Sequence, residues 1–342
     1  MNMYYFSLLL VILIINVLTR PGFSQETNTR SIRLMFYNVE NLFDTDHDSL
    51  KDDMEFLPGG VRRWNYTRYN SKISSLYKTI AAAGECSMPC IVVLCEVENR
   101  KVLEDLVHGT YMSKYDYGIV HEESPDQRGI DVCMIYRRDC AELVNYRYLI
   151  PGNKARDNFH TRSVLYASLL IGSDTLHLIA NHWPSRRGGA LAGQGMRIKI
   201  AEMVKELCDS IGQATCGGAK IIIGGDFNCT PDDIEIRALL NHGNTGFPLV
   251  NITGDLAEKG EGTYRYKGIW EMIDQVIVSE PLLNNAAGLY AEQGSVKVFR
   301  PGFLLVKDPV YPGYSPFSTY RGYRYQGGFS DHLPVLTDLF VK

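Results

Sequence analysis

Three stretches of this chain end or interrupt an apolar run with residues that could do chemistry. Ile91-Val92-Val93-Leu94-Cys95 closes on Glu96, Ile221-Ile222-Ile223-Gly224-Gly225 closes on Asp226-Phe227-Asn228, and Ser330-Asp331-His332 opens the run Val335–Phe340. Apolar runs of this length read as buried strands, so each polar group stands at a strand tip. Carboxylates, an amide and an imidazole gathered at strand tips suit a hard divalent cation and a phosphate ester: oxygen ligands for the metal and donors for the phosphate.

Further groups join them. Asn38 and Glu40 follow the run Ile32–Tyr37 and share a face if the strand continues, although a strand-end turn is the plainer reading. Glu96 must leave the core at the strand tip or be paired there. In Gly224-Gly225-Asp226-Phe227-Asn228, Asp226 could orient or deprotonate an attacking water while Asn228 donates to a phosphate oxygen; a capped turn is the structural alternative. Asn181-His182-Trp183-Pro184-Ser185-Arg186-Arg187 joins an imidazole to two guanidinium groups, read either as phosphate capture or as a solvated loop. Asp274, an acid inside Met272–Val278, needs a partner, and His332 is the natural one.

The elements that would carry these groups alternate. Strands are expected at Ile32–Tyr37, Ile91–Cys95, Val132–Tyr136, Val164–Leu170, Leu176–Ala180, Lys220–Ile223, Ile273–Val278 and Val335–Phe340. Ile73, Leu76, Tyr77 and Ile80 recur at helical spacing, as do Ile200, Val204, Leu207 and Ile211. A further helix is expected to open at Thr230, with Pro231 first and Asp232 and Asp233 in its first turn. Neither an internal repeat nor a clear linker interrupts this pattern, which reads as one α/β domain over residues 25–342.

Among 342 residues, 45% are hydrophobic and the formal charge is −4, which argues against global disorder and against the basic footprint of a dedicated nucleic-acid binder. Tyr4–Leu18 is an uncharged run of 15 residues, shorter than the roughly 20 a spanning helix needs, and Gly22-Phe23-Ser24 offers small residues before a cut at Gln25. Residues 1–24 read as a signal peptide directing export to the periplasm or medium, with an uncleaved anchor as the competing reading because no Lys or Arg precedes the run. Removing them takes one Arg and no acid, moving the charge from −4 to −5. All eight cysteines follow the cut, where disulfides are permitted. Cys95, Cys133 and Cys229 fit buried positions, leaving Cys86 with Cys90 and Cys208 with Cys216 as the better bridge candidates.

Taken in order, Asn38/Glu40, Glu96, His182, Asp226-x-Asn228, Asp274 and Ser330-Asp331-His332 resemble the endonuclease/exonuclease/phosphatase superfamily with its DNase I-like fold. The resemblance runs from about Ile32 to the end of the chain. It implies a four-layer α/β sandwich, two packed mixed β-sheets flanked by helices, and phosphoester cleavage by metal-activated water without a covalent intermediate. By the same resemblance Glu96 is the main Mg2+ ligand (Mn2+ being the alternative metal), with Asn38, Glu40 and Asp331 beside it. Glu40 stands where many members have Asp. Asp226 becomes the water-orienting acid, Asn228 a phosphate donor, Asp274 with His332 a charge-paired imidazole, and His182 a candidate acid for the leaving oxygen. Arg162, Arg186 and Asn181 are candidate substrate contacts, and Asp131 a supporting residue.

Two segments lie outside that set. Asp44, Asp46, Asp48, Asp52 and Glu55 match a calcium-loop template, but Ser49 replaces the glycine of its sharp turn, so a Ca2+ site competes with a solvated acidic loop. Tyr311, Tyr314, Phe317, Tyr320, Tyr323 and Tyr325, interleaved with Arg321 and Arg324, form an aromatic segment ending just before Ser330. It could stack bases or hold a sugar or lipid head group. The expected partner is a phosphoester: nucleic acid first, which makes an endonuclease the leading subclass, then a phospholipid head group or small phosphate ester, as in sphingomyelinases or inositol-phosphate phosphatases. No protein partner is indicated and a monomer is expected. The reading from another class is a binding module that keeps the fold without the chemistry.

Overall fold

The strands that end in polar groups are buried on both faces. Ile91–Val97 and Lys220–Asp226 are almost wholly inaccessible along their length, which explains why their sequences run apolar without alternation. In the computed structural model of the chain, the described residues are 30–152, 161–187, 189, 191–241, 243 and 246–342. The expected signal segment, residues 1–24, lies outside them. Among the described residues no helix is long and apolar enough to cross a membrane.

Two mixed sheets pack face to face. The first runs Leu289–Ala291, Val335–Val341, Arg30–Leu42, Ile91–Val97, Asp131–Arg137, Tyr117–Val120, with Lys297–Val298 also pairing with Val335–Val341. The second runs Glu142–Leu149, Val164–Ile171, Asp174–His182, Lys220–Asp226, Asp274–Ser279, Leu249–Asn251. Each sheet holds one parallel pair, Arg30–Leu42 with Ile91–Val97 and Asp174–His182 with Lys220–Asp226, and a helix makes the crossover in both. Between the sheets lie Leu34, Phe36, Val93, Met134, Leu178, Ile222 and Val276. Outside the first sheet, helices Tyr66–Gly84 and Arg100–His108 pack on Met35, Tyr37, Val92 and Leu94. Outside the second, helix Gln194–Ala214 buries Ile200, Val204, Leu207 and Ile211 against Ile179, Ile221 and Ile223. Helix, sheet, sheet and helix make the four-layer sandwich.

The parallel pairs bring Asn38, Glu96, His182 and Asp226 to the same end of the sandwich, because strands joined by a crossover point the same way. Gly224 is needed for that packing: a Cβ there would lie 2.3 Å from the Phe36 ring. Gly225, at φ +125°, lets the backbone pass Asn181, whose carbonyl oxygen would sit 2.1 Å from an added Cβ.

One expected helix begins late. Thr230–Asp233 form a turn in which the Thr230 amide and hydroxyl donate to Asp233 Oδ2, and the helix spans Ile234–Leu240 with Glu235 in its first turn. Asp233 is thus the residue before the helix, and its carboxylate is held by the turn and by Arg186.

Candidate active site

Register aligns the chemistry of the second sheet. His182 faces Asp226 across the parallel pair and Asp226 faces Asp274 across the antiparallel one, so three titratable residues sit side by side on neighbouring strand ends. His332 comes from the chain's last turn: Ser330 Oγ donates to the Asn38 carbonyl at 2.7 Å and accepts the His332 amide at 3.1 Å. His332 Nδ1 then donates to Asp274 Oδ2 at 2.7 Å, leaving its Nε2 3.9 Å from Asp226 Oδ2. Asp226 Oδ1 accepts the Asn228 amide at 2.8 Å, and Oδ2 accepts Asn38 Nδ2 at 3.0 Å.

These groups line a cavity of about 520 Å³. Glu96, Arg162, His182, Asp226, Asn228, Asp331 and His332 all face it. Arg128, Arg186 and Arg187 line it as well, as do Tyr264, Tyr266 and Glu271. Four of the eight non-glycine residues with positive φ among the described residues, Glu40, Asn41, Glu96 and Asn228, belong to this end of the fold. Such conformations are uncommon outside glycine and gather where side chains must be re-aimed.

Burial and neighbours push the titrating groups apart. Burial, with Asp274 close by, raises the Asp226 carboxyl to about 7. At His332 burial works against the charged form, but Asp274 and Asp226 outweigh it and hold the imidazole well above its ordinary range, as a cation. His182 is driven the other way, first by burial and then by the Arg162 guanidinium, so it is neutral. Arg162 Nη2 donates to His182 Nε2 at 2.9 Å, and Arg162 Nη1 pairs with Asp126 at 3.2 Å. A ring held neutral is the weaker acid of the two, so of the pair it is His332 that carries the charge.

A metal can be held opposite these groups. Glu96 Oε2 accepts the Asn41 amide at 2.9 Å, and its Oε1 lies 3.9 Å from His182 Nε2. Asp331 also faces the cavity, its carboxyl raised by burial despite the counteracting His332 charge. Two carboxylates turned to one space form a donor set that suits a hard cation such as Mg2+. Among the described residues two clusters also bring histidine and carboxylate atoms within 4.8 Å of one another, Asp226–Asp274–His332 and His121–Glu123–Asp131. In the first, His332 Nδ1 already bonds Asp274 Oδ2 at 2.7 Å, and the two carboxylates hold the ring charged; in the second, Asp131 already accepts the Ser124 amide at 2.9 Å and bonds His121 at 3.1 Å.

Several sequence expectations need correction. Glu40 does not join Glu96: positive φ at Glu40 and Asn41 breaks the strand alternation, and the Glu40 carboxylate accepts the Thr319 and Tyr320 amides at 2.6 and 3.0 Å. It anchors the aromatic segment instead, with Lys72 buried below on Thr319 Oγ1 and the Phe329 carbonyl, both at 2.5 Å. Asn38 positions Asp226 and does not line the cavity. Asn181 alternates to the opposite face from His182 and accepts the Trp183 indole N–H at 3.0 Å, so it offers the substrate nothing. Asp131 supports the Ser124–Arg128 turn. Asn228 spends one amide hydrogen on the Trp183 carbonyl at 2.9 Å and keeps the other.

The acidic loop gathers no cation ligands. Asp44 accepts the Asp46 amide and meets Asn99 and Lys101; the Asp48 amide donates to Asp53; and Glu55 pairs with Arg62 at 3.0 Å. In the aromatic segment Tyr320 is buried and Tyr323 exposed, with Arg62 over both rings at 5.1 and 5.4 Å. Neither residue lines the cavity. The residues that do, and that sequence reasoning missed, are Arg128 and the hairpin Tyr264–Tyr266/Ile269–Glu271. Alternation on either side of Lys267-Gly268, both at positive φ, was the readable signal for that hairpin.

A model of the Endonuclease/Exonuclease/phosphatase family matches residues 33–340, and the chain belongs to that family. Membership makes it one of the metal-dependent phosphoesterases. No curated protein matches by sequence. Among solved structures, similar ones include a mannosyl-6-phosphatase of Bacteroides thetaiotaomicron, at 16% identity and TM-score 0.57 over 90% of this chain and 99% of that one. An endonuclease/exonuclease/phosphatase of Bacteroides vulgatus matches at 15% and 0.56 over 92% and 100%. The D. rerio TDP2 complexed with single-strand DNA product matches at 13% and 0.53 over 90% and 98%. At these identities the likeness is one of fold.

Proposed function

We propose that this chain hydrolyses compact phosphate esters with a divalent cation, Mg2+ first, by direct attack of water. The observation that carries the reading is the convergence of Asp226, the Asp274–His332 pair and His182 on a cavity that Glu96 and Asp331 enter from the other sheet. Glu96 and Asp331 would hold the cation, which would supply charge neutralisation at the phosphoryl oxygens. Ionised Asp226, fixed by Asn38 and the Asn228 amide, orients the water and takes its proton. The His332 cation and the remaining Asn228 amide hydrogen meet phosphoryl oxygens, and Arg162 holds His182 neutral beside them.

Compactness is supported by the mixed lining of the cavity. Arg128 and Arg187 offer the phosphate cations, Arg186 being already paired with Asp233, whereas Glu271, Tyr264 and Tyr266 suit a neutral hydroxylated alcohol better than a second phosphate. A similar fold in a mannosyl-6-phosphatase is in keeping with such a substrate. The endonuclease is the second reading, favoured by Tyr266, 52% exposed, where a base could stack. Export by way of residues 1–24 and a monomeric state belong to the same proposal and are tested by fractionation and light scattering.

The test is turnover of the protein with and without Mg2+ on sugar phosphates, inositol phosphates, sphingomyelin, plasmid DNA and single-stranded DNA, with His332→Ala as control. Cleavage of a compact ester that Mg2+ and His332 both govern supports the proposal. Cleavage of DNA alone would favour the second reading. Ligand binding with turnover unchanged in Asp226→Ala would leave a binding module.

A further inference from the structure

All eight cysteines are free thiols, and the contact between them is not one the sequence suggested. Cys208 lies in the buried face of helix Gln194–Ala214 and Cys216 is exposed beyond it, while Cys86 is exposed beside the buried Cys90. The cysteine brought to Cys90 is Cys140: it packs against the core cluster that contains Cys90, and each thiol shifts the titration of the other. The backbone builds this meeting. The Cys90 carbonyl accepts the Arg137 amide at 2.8 Å, continuing the ladder in which Ile91 faces Tyr136, and the chain then turns so that the Cys140 amide donates to the Arg137 carbonyl at 3.1 Å. Cys90 is 2% exposed within the core between the sheets, and Cys140, half-buried, packs against that core from the rim.

We propose that Cys90 and Cys140 form a disulfide that ties the start of strand Ile91–Val97 to the turn after strand Asp131–Arg137. The pair sits at the opposite end of strand Ile91–Val97 from Glu96, so it belongs to the scaffold and not to the cavity. The surroundings favour the chemistry. Arg30 and Arg137 flank the turn, each bonded to Asp139. Cys90 and the Arg137 charge lower the Cys140 thiol, while Cys140 and burial raise that of Cys90, so Cys140 is the thiol that ionises first. With a disulfide oxidant such as oxidised glutathione, the Cys140 thiolate attacks one sulfur and expels a thiolate, giving a mixed disulfide. Cys90 then loses its proton and attacks the Cys140 sulfur, expelling the second thiolate. Two protein thiols give up two protons and two electrons, and the oxidant becomes two thiols.

The experiment equilibrates the full chain with a series of oxidised-to-reduced glutathione ratios, quenches with an alkylating agent, and maps peptides by mass spectrometry. A linked peptide containing Cys90 and Cys140, absent in Cys140→Ser and retained in Cys86→Ala and Cys216→Ala, is the expected result. Closing a long loop should also raise Tm on the order of 5 °C in the oxidised protein, a rise that reductant and Cys140→Ser both abolish. Alkylation of both Cys90 and Cys140 after unfolding at every ratio would overturn the proposal. So would a link from Cys90 to Cys86.

Discussion

His332 and His182 stand on either side of Asp226, their Nε2 atoms 3.9 and 3.7 Å from the same carboxylate oxygen, and both are almost fully buried. They nonetheless hold opposite charge states. The difference lies one bond further out: His332 turns its other nitrogen to Asp274, whereas His182 takes a hydrogen bond from Arg162. Burial alone would keep both neutral, so it is the outer partner that decides which imidazole is a cation. Asp226 lies between a charged donor and a neutral ring, so its two flanks differ in charge although they share one cavity.

Removing the shared centre should cost most. Asp226→Asn keeps the shape but not the base, and kcat should fall about 10³-fold or more, read from initial rates on whichever ester the protein cleaves. In the unsubstituted enzyme the ionised carboxylate is the working form, so the rate should climb as pH rises through the Asp226 pKa. That pKa is about 7 without metal, and bound cation should move the limb to lower pH.

Breaking the outer partners separates the two sides. Asp274→Asn should neutralise His332 near pH 7 and lower kcat about 10²-fold. It should also change the pH dependence of stability. Because the folded His332 pKa is raised, its contribution is fully present below the unfolded imidazole pKa and is lost as pH rises through the folded value; urea unfolding of Asp274→Asn should lose that slope. Arg162→Met should act oppositely, letting the His182 pKa rise, with a smaller fall in kcat and a separate rise in KM from the lost guanidinium.

Two substitutions away from the pair should affect neither histidine. Glu40→Gln weakens the bonds to the Thr319 and Tyr320 amides and should cost about 1–2 kcal/mol of stability by chemical denaturation. Glu55→Gln loses only a pair with Arg62 near the surface and should fall within about 0.5 kcal/mol, and Ca2+ should not raise its Tm or that of the parent protein.

Much of the frame was readable because strands covered on both faces must be apolar throughout, and an acid such as Glu96 or Asp226 then stands out at the tip. Strand Glu142–Leu149, at the sheet edge and largely exposed, carries no such run and was not expected. The pairing of Asp274 with His332 was legible from the need of a buried acid for a partner. The aim of Asn38, Glu40 and Asn181 was not, since it depends on positive φ at Glu40 and Asn41 and on which face of the strand Asn181 takes. The hairpin of Tyr264–Tyr266 and Ile269–Glu271 is built of strands of 3 residues each, half-buried or exposed, too short for periodicity to give it weight.

The most direct measurement is an NMR pH titration of the histidine rings in the metal-free protein, assigned with His182→Gln and His332→Gln. His332 should remain protonated well above pH 6.5 while His182 stays neutral well below it. Two rings titrating together near the ordinary imidazole value would contradict the assignment of one charged and one neutral histidine about Asp226.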